Sequence, residues 1–219
     1  MTGPADFSLT LPSERRDFVE WHRGRSPYVF WALDVDLPVV RERLAVAAAS
    51  LAGRLLPDYF RQPHVTLDLC GFPAAAAVAD DEFDAVHFAA CLQRLQAAAV
   101  PPLTVDVGGP ASFASAPYLT LGDRDGGIRQ LRAALAGEAG NRLRGDYVPH
   151  VTIGLYAGVW PAAEVLAAMA GVPATPLALQ LERLGLMAYA PAEIGGALDY
   201  LGDYDLRAGV FRWRGKPLF

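Results

Sequence analysis

The sequence predicts an α/β or α+β chain of about eight strands and four helices, arranged as two lobes that share one cleft. Three observations carry this. Short runs rich in aromatic and β-branched residues alternate with longer amphipathic runs. No linker or change of composition divides the 219 residues into two zones, so independent domains are not expected. One short motif, proline-histidine-valine-threonine-aliphatic, occurs twice, each time opening an expected strand that follows a helix.

The elements follow in order. Residues 1–26 are polar, carry Pro and the charged run SERRDFVEWHRGR, and are expected as an extension or short helix outside the core. YVFWALDVD (28–36) reads as a buried strand. From Pro38 to Leu56, Leu44, Leu51 and Leu55 recur at helical spacing behind an early proline. PHVTLDLCGF (63–72) is a strand, and DEFDAVHFAACLQRLQAAA (81–99) is a helix with acids in its first turn. LTVDVGG (103–109) and APYLTLGD (116–123) are strands around a turn-rich GGPASFAS. GIRQLRAALAGEAG (127–140) is a helix closing on glycine. VPHVTIGLYAG (148–158) is a strand and PAAEVLAAMAG (161–171) a helix between proline and glycine. LALQLERLGLMAYA (177–190) and ALDYLGDYDL (197–206) close the chain as strands.

Composition limits what this fold can do. Hydrophobic residues make up 53% and charged residues 20%, the balance of a soluble globular protein. A chain of this length buries roughly 70% of its unfolded surface. No apolar run reaches the ~18 residues of a membrane span, and the N-terminus lacks the basic-then-apolar order of a signal peptide. Cys70 and Cys91 are too few for a disulfide framework and lack metal-ligand spacing. A cytoplasmic setting and a monomer are therefore expected. The net charge is −5, and Lys216 is the only lysine. Grip on long nucleic acid comes from neutralised phosphates and a basic face, so the balance favours a small or short phosphate ester.

The repeated motif supplies the candidate chemistry. The first copy is Pro63-His64-Val65-Thr66-Leu67 and the second is Pro149-His150-Val151-Thr152-Ile153. Side chains alternate along a strand. His64, Thr66, Asp68 and Cys70 are thus expected on one face, and His150, Thr152, Gly154 and Tyr156 on one face of the other strand. Val65, Leu67, Val151 and Ile153 would point to the core. A polar pair on an apolar strand is costly to bury without partners or solvent. Two such pairs indicate a wet cleft lined from both lobes, although an architectural repeat with bridging threonines would share the pattern.

The two H-x-T-x motifs resemble those of the two-histidine phosphoesterase superfamily, in a layout similar to the bacterial 2′-5′ RNA ligase and cyclic phosphodiesterase group. The resemblance runs over roughly residues 28–206. YVFWALDVD resembles the first strand of that family, GGPASFASAPYLTLG its central G-x-F hairpin, and LERLGLMAYAP with ALDYLGDYDL its closing strands. It implies an α+β fold: a bilobal pair of β-sheets with outer helices around a central cleft, formed by residues 27–219 as one domain. It also implies that His64 and His150 are the catalytic pair and Thr66 and Thr152 the phosphate-binding hydroxyls.

The residues suit that chemistry. An imidazole titrates near 6.5, so at neutral pH one histidine can accept a proton while the other donates one. In hydrolysis of a 2′,3′-cyclic phosphate, one would activate water and the other would protonate the leaving ribose oxygen. The threonine hydroxyls would donate to the non-bridging oxygens. The expected activity is therefore a metal-independent phosphoesterase, without a cofactor, acting on a nucleotide or short RNA phosphoester. A cyclic phosphate, a 2′-5′ linkage, a cyclic oligonucleotide and an ADP-ribose cyclic phosphate all fit. Substrate contacts are expected from Tyr156, which follows His150 on its strand, and from Arg61, which precedes the first motif. Tyr28 and Phe30 share a face of the first strand; core packing is the default for such rings, and if they face the cleft they would bind substrate by stacking a base. Asp68 could hold a charged histidine or simply bond a neighbouring strand.

Three rivals remain at this stage. A zinc hydrolase would use both histidines with Asp68 as a third ligand. A non-catalytic RNA- or nucleotide-binding module could use the same fold. An RNA end-joining ligase would run the reverse chemistry.

Overall fold

YVFWALD forms β1 (Tyr28–Asp34), and its run of buried residues belongs to a strand covered on both faces. In the computed structural model, which describes residues 7–137 and 147–219, β1 lies inside the larger of two sheets. It pairs antiparallel with β2 (His64–Pro73) on one side and β8 (Arg183–Tyr189) on the other. β9 (Asp199–Asp205) and β10 (Val210–Trp213) continue beyond β8, and the short β3 (Glu82–Phe83) joins the end of β2 in parallel. The order is β10-β9-β8-β1-β2-β3. The second sheet is antiparallel, in the order β6-β5-β4-β7. It consists of β4 (Leu103–Ser112), β5 (Pro117–Asp123), β6 (His150–Thr152) and β7 (Leu177–Leu181).

The helices are α1 (Arg15–His22), α2 (Pro38–Ser50), α3 (Ala85–Ala98), α4 (Gly127–Ala136) and α5 (Ala162–Met169). Local chemistry sets several of their ends. Proline opens α2, where its missing N–H costs nothing. Asp84 caps α3 by accepting the His87 amide, and backbone amides hold its carboxyl far below the usual range. Gly137 ends α4 at a φ of 56°, backbone that glycine adopts without strain. The core packs Trp31, Leu33, Val65 and Leu67 of the larger sheet against Leu95 of α3 and Leu131 of α4. Val105, Val107, Leu119 and Val151 of the second sheet complete it. Each such side chain contributes about 1.5–3 kcal/mol on burial.

The sheets depart from the sequence expectation in informative places. The single strand expected over 177–190 is two strands in different sheets, broken at Glu182. Its two halves carry different patterns. Leu179 and Leu181 alternate with exposed residues, as on a half-covered edge, whereas Leu184 to Ala188 are buried throughout. The strand expected over 148–158 ends at Thr152. Beyond it the chain bonds residues 54–56 instead, through Leu56 N–H to the Leu155 carbonyl and Ala157 N–H to the Arg54 carbonyl. The helix expected from Pro38 to Leu56 ends at Ser50.

The N-terminal arm touches both sheets. Leu11 and Ser13 donate to the carbonyls of Ala114 and Tyr156 at 2.7 and 2.9 Å. The Trp21 ring packs 4.7 Å from Tyr28 and 5.3 Å from Phe72. Among the described residues, no helix is long and apolar enough to cross a membrane.

Candidate active site

Both motif histidines are held in the same way. The Nδ1–H of His64 donates to the carbonyl of Gln62 at 2.8 Å, and that of His150 to the carbonyl of Val148 at 2.7 Å. A carbonyl oxygen can only accept, so Nδ1 carries the proton and the neutral ring offers its Nε2 lone pair. The proline between acceptor and histidine explains the repeat. It fixes its own φ and keeps the preceding residue extended, which leaves that residue's carbonyl within reach of the ring.

Strand pairing sets the faces. Thr152 stands opposite Tyr118 and His150 opposite Thr120, while Val151 and Leu119 between them are fully buried in the core. On β2, Val65 pairs with the core residue Leu33, and Thr66 pairs with Ala32 on the other face. His64 shares that face, with its ring 5.5 Å from Phe30. The His150 ring meets the edge of Phe113 at 5.0 Å and lies 5.3 Å from Tyr118.

The two imidazoles differ in their surroundings. His64 is 9% exposed, and burial pushes its imidazolium down to about 4. The Gln62 carbonyl opposes that shift; the Arg61 guanidinium and the nearby His150 add to it. Burial also lowers His150, opposed by the Val148 carbonyl. Both rings are therefore neutral at neutral pH.

A cationic and phenolic group lies beside them. The Arg61 guanidinium lies 4.1 Å over the Tyr189 ring. Burial keeps the Tyr59 hydroxyl protonated, and Tyr59 lines the same pocket as Thr152. Tyr59, Arg61 and Thr152 open onto a pocket that Phe60, Ile153 and the Arg41 and Leu44 side chains of α2 also line. Gln62, whose carbonyl holds His64, is itself fixed by two side-chain bonds to the Leu198 backbone, at 3.1 and 2.7 Å.

His64 and Thr66 thus share one face of β2, and His150 and Thr152 one face of β6, with Arg61 and His150 close enough to disfavour charge on His64. The placements of Asp68, Cys70, Tyr156, Tyr28 and Phe30 differ from a cleft-facing reading. A β-bulge resets the alternation of β2: Ala32 pairs with Thr66, but the next residue back on β1, Trp31, pairs with Asp68. Asp68 and Cys70 therefore turn toward the core, and Leu69 takes the face of His64. Asp68 lies among Arg132 and Cys91, away from the imidazoles, which removes the third ligand of the zinc alternative. Among the described residues, no group of three or more His, Cys, Asp or Glu could hold a metal ion. Tyr156 is fully buried, 2.6 Å from the Ser112 hydroxyl, because β6 ends before it and alternation does not reach it. Tyr28 and Phe30 do share a face, but they are 5% and 1% exposed. Trp21, Phe72 and Tyr189 cover Tyr28, and Tyr189 and His64 pack on Phe30. Neither offers a free ring to a base.

Tyr59, Gln62, Phe113 and Tyr118 were not expected here. Gln62 had a signal: it and Val148 hold the same position two residues before histidine in both copies. Tyr59 had none, since it lies in a loop without periodicity.

Comparison with known proteins identifies the family and the fold. The family model described as the 2′-5′ RNA ligase superfamily matches residues 39–193. The crystal structure of E. coli LigT in apo form is similar at 19% identity and a TM-score of 0.51, covering 82% of this chain and 98% of LigT. TT0787 of Thermus thermophilus matches at 16% identity and a TM-score of 0.48, covering 82% of this chain and 98% of its own. No curated protein sequence matches.

Proposed function

Since the chain belongs to the 2′-5′ RNA ligase superfamily, we propose that it is a metal-independent phosphoesterase using His64 and His150 as general base and acid. Its substrate is a cyclic phosphate or 2′-5′ phosphodiester of a nucleotide or RNA end. One observation carries this: two imidazoles on different sheets, anchored identically through Nδ1, each present Nε2. The catalytic unit is residues 27–219, working as a monomer in the cytoplasm.

In hydrolysis, neutral His64 takes a proton from water through Nε2 as the water oxygen attacks phosphorus. The bond from phosphorus to one ribose oxygen breaks, and the Nε2–H of protonated His150 supplies that oxygen with its proton. The assignment follows from the surroundings. Burial, with Arg61 beside it, disfavours charge on His64, so His64 is the ring that stays unprotonated and available to accept a proton. The bound phosphate provides the negative charge that raises His150 into its protonated form. Arg61 and the hydroxyls of Thr66 and Thr152 meet the non-bridging oxygens, where charge develops. A net charge of −5 supports a short substrate over a long polymer.

The test is steady-state hydrolysis of a 2′,3′-cyclic nucleotide with EDTA present. His64→Ala and His150→Ala should each lower kcat by roughly 10²–10⁴, the contribution of one general acid or base. A folded variant that keeps parental turnover, or parental activity that needs added Zn²⁺ or Mn²⁺, defeats the proposal.

A further inference from the structure

Tyr147 and Arg132 take no part in the chemistry above, yet both reach the strand that carries the first motif. From His64 to Gly71, β2 pairs with β1 on one side, and β3 joins its other side only at Phe72 and Pro73. The bulge near Leu67 interrupts the ladder within that stretch. Carbonyls there need partners from elsewhere. The Tyr147 hydroxyl donates to the Thr66 carbonyl at 2.8 Å, and the Arg132 guanidinium on α4 donates to the Leu67 carbonyl. That guanidinium also lies 3.5 Å over the Tyr147 ring, so each group fixes the other. Tyr147 immediately precedes Val148, whose carbonyl orients His150. One short piece of chain thus links the Thr66 backbone to the His150 ring.

We propose that Tyr147 and Arg132 are positioning residues that brace the two motifs, holding His64 and Thr66 at a set distance from His150. The proposal rests on the two-histidine reading. β6 is three residues long and forms the edge of its sheet, so its own ladder fixes it weakly. Both imidazoles must reach one phosphate at once, and a displacement of about 1 Å can cost on the order of 10²-fold in rate. Burial keeps the Tyr147 phenol protonated, hence a donor. Burial also works against the Arg132 charge, which Tyr147 and Asp68 support.

Tyr147→Phe removes only the hydroxyl. Its kcat on a 2′,3′-cyclic nucleotide should fall by roughly 10- to 100-fold, with KM changed by less than about twofold. The imidazole titrations of the free protein, followed by NMR, should also shift, with the His64 value rising as His150 moves away. Arg132→Gln should act in the same direction, and it stands in if Tyr147→Phe does not fold. Val165→Ala, a core truncation in α5, should lower the melting temperature and leave kcat and both titrations in place. Parental kcat and titrations in Tyr147→Phe overturn the brace, as does a Val165→Ala protein that reproduces its losses. A parent that hydrolyses no phosphoester defeats the functional proposal instead, while the titrations still decide the brace.

Discussion

A neutral His64 is a property of the folded state that can be measured without any substrate. The imidazole titrates near 6.5 in an unfolded chain and near 4 in the native protein. Between those values the unfolded chain binds the proton and the native protein does not. Stability from the neutral ring is therefore complete above about pH 6.5 and is lost as pH falls toward 4. By about pH 4.5 the loss from this one group is about 2–3 kcal/mol, because each pH unit crossed between the two values removes ~1.4 kcal/mol. His150 acts in the same direction. Carboxylates also titrate in this range, so a single protein does not isolate the effect. His64→Gln does, because it retains a polar side chain near the Gln62 carbonyl and cannot take up a proton. Urea unfolding of parent and variant at about pH 7 and about pH 4.5 gives the difference of differences, in which the shared carboxylates cancel. The variant should lose about 2–3 kcal/mol less than the parent over this interval. Equal losses, or a His64 imidazole resonance that titrates near 6.5, would refute the neutral buried base and with it the assignment of His64.

Two further outcomes follow from the placements. Thr66→Val and Thr152→Val should each lower kcat by about 5- to 30-fold, the equivalent of one neutral hydrogen bond of roughly 1–2 kcal/mol; no change in either would remove the hydroxyls from the phosphate site. Tyr156→Phe should cost about 1 kcal/mol in unfolding experiments and leave kcat and KM alone, because Ser112 directs its hydroxyl proton to the Phe113 carbonyl and Tyr156 donates to Ser112. A many-fold rise in KM at unchanged stability would return Tyr156 to the substrate.

The sequence was readable wherever a short stretch obeys one period. Alternation correctly separates Val65 and Val151 from the histidines and threonines beside them. It fails at Asp68 because the bulge lies in HVTLDL, which has no glycine or proline to mark it. It fails at Tyr156 because β6 stops for a tertiary reason: residues 54–56 claim the backbone of Leu155 and Ala157. Gly154 was a usable sign of that, since an added Cβ there would lie 3.1 Å from Leu55. The break at Glu182 had a sign in the chain, where the alternating leucines of LALQL give way after Glu182-Arg183 to the unbroken apolar run LGLMAY, and burial follows the same change.

The anchoring of the two rings depends only on the proline and the carbonyl before each histidine, so the same tripeptide geometry arises in a ten-residue strand and in a three-residue edge. Because that device is local, the sequence could display it twice. What makes the two histidines unequal is only partly local. Arg61, three residues before His64, weighs on that ring, where the second copy has Tyr147; Phe113 and Tyr118, brought in from the neighbouring strands, wall in His150. The repeat supplies two similarly anchored rings, and Arg61 together with the packing of two different sheets supplies the difference on which the proposed division into base and acid rests.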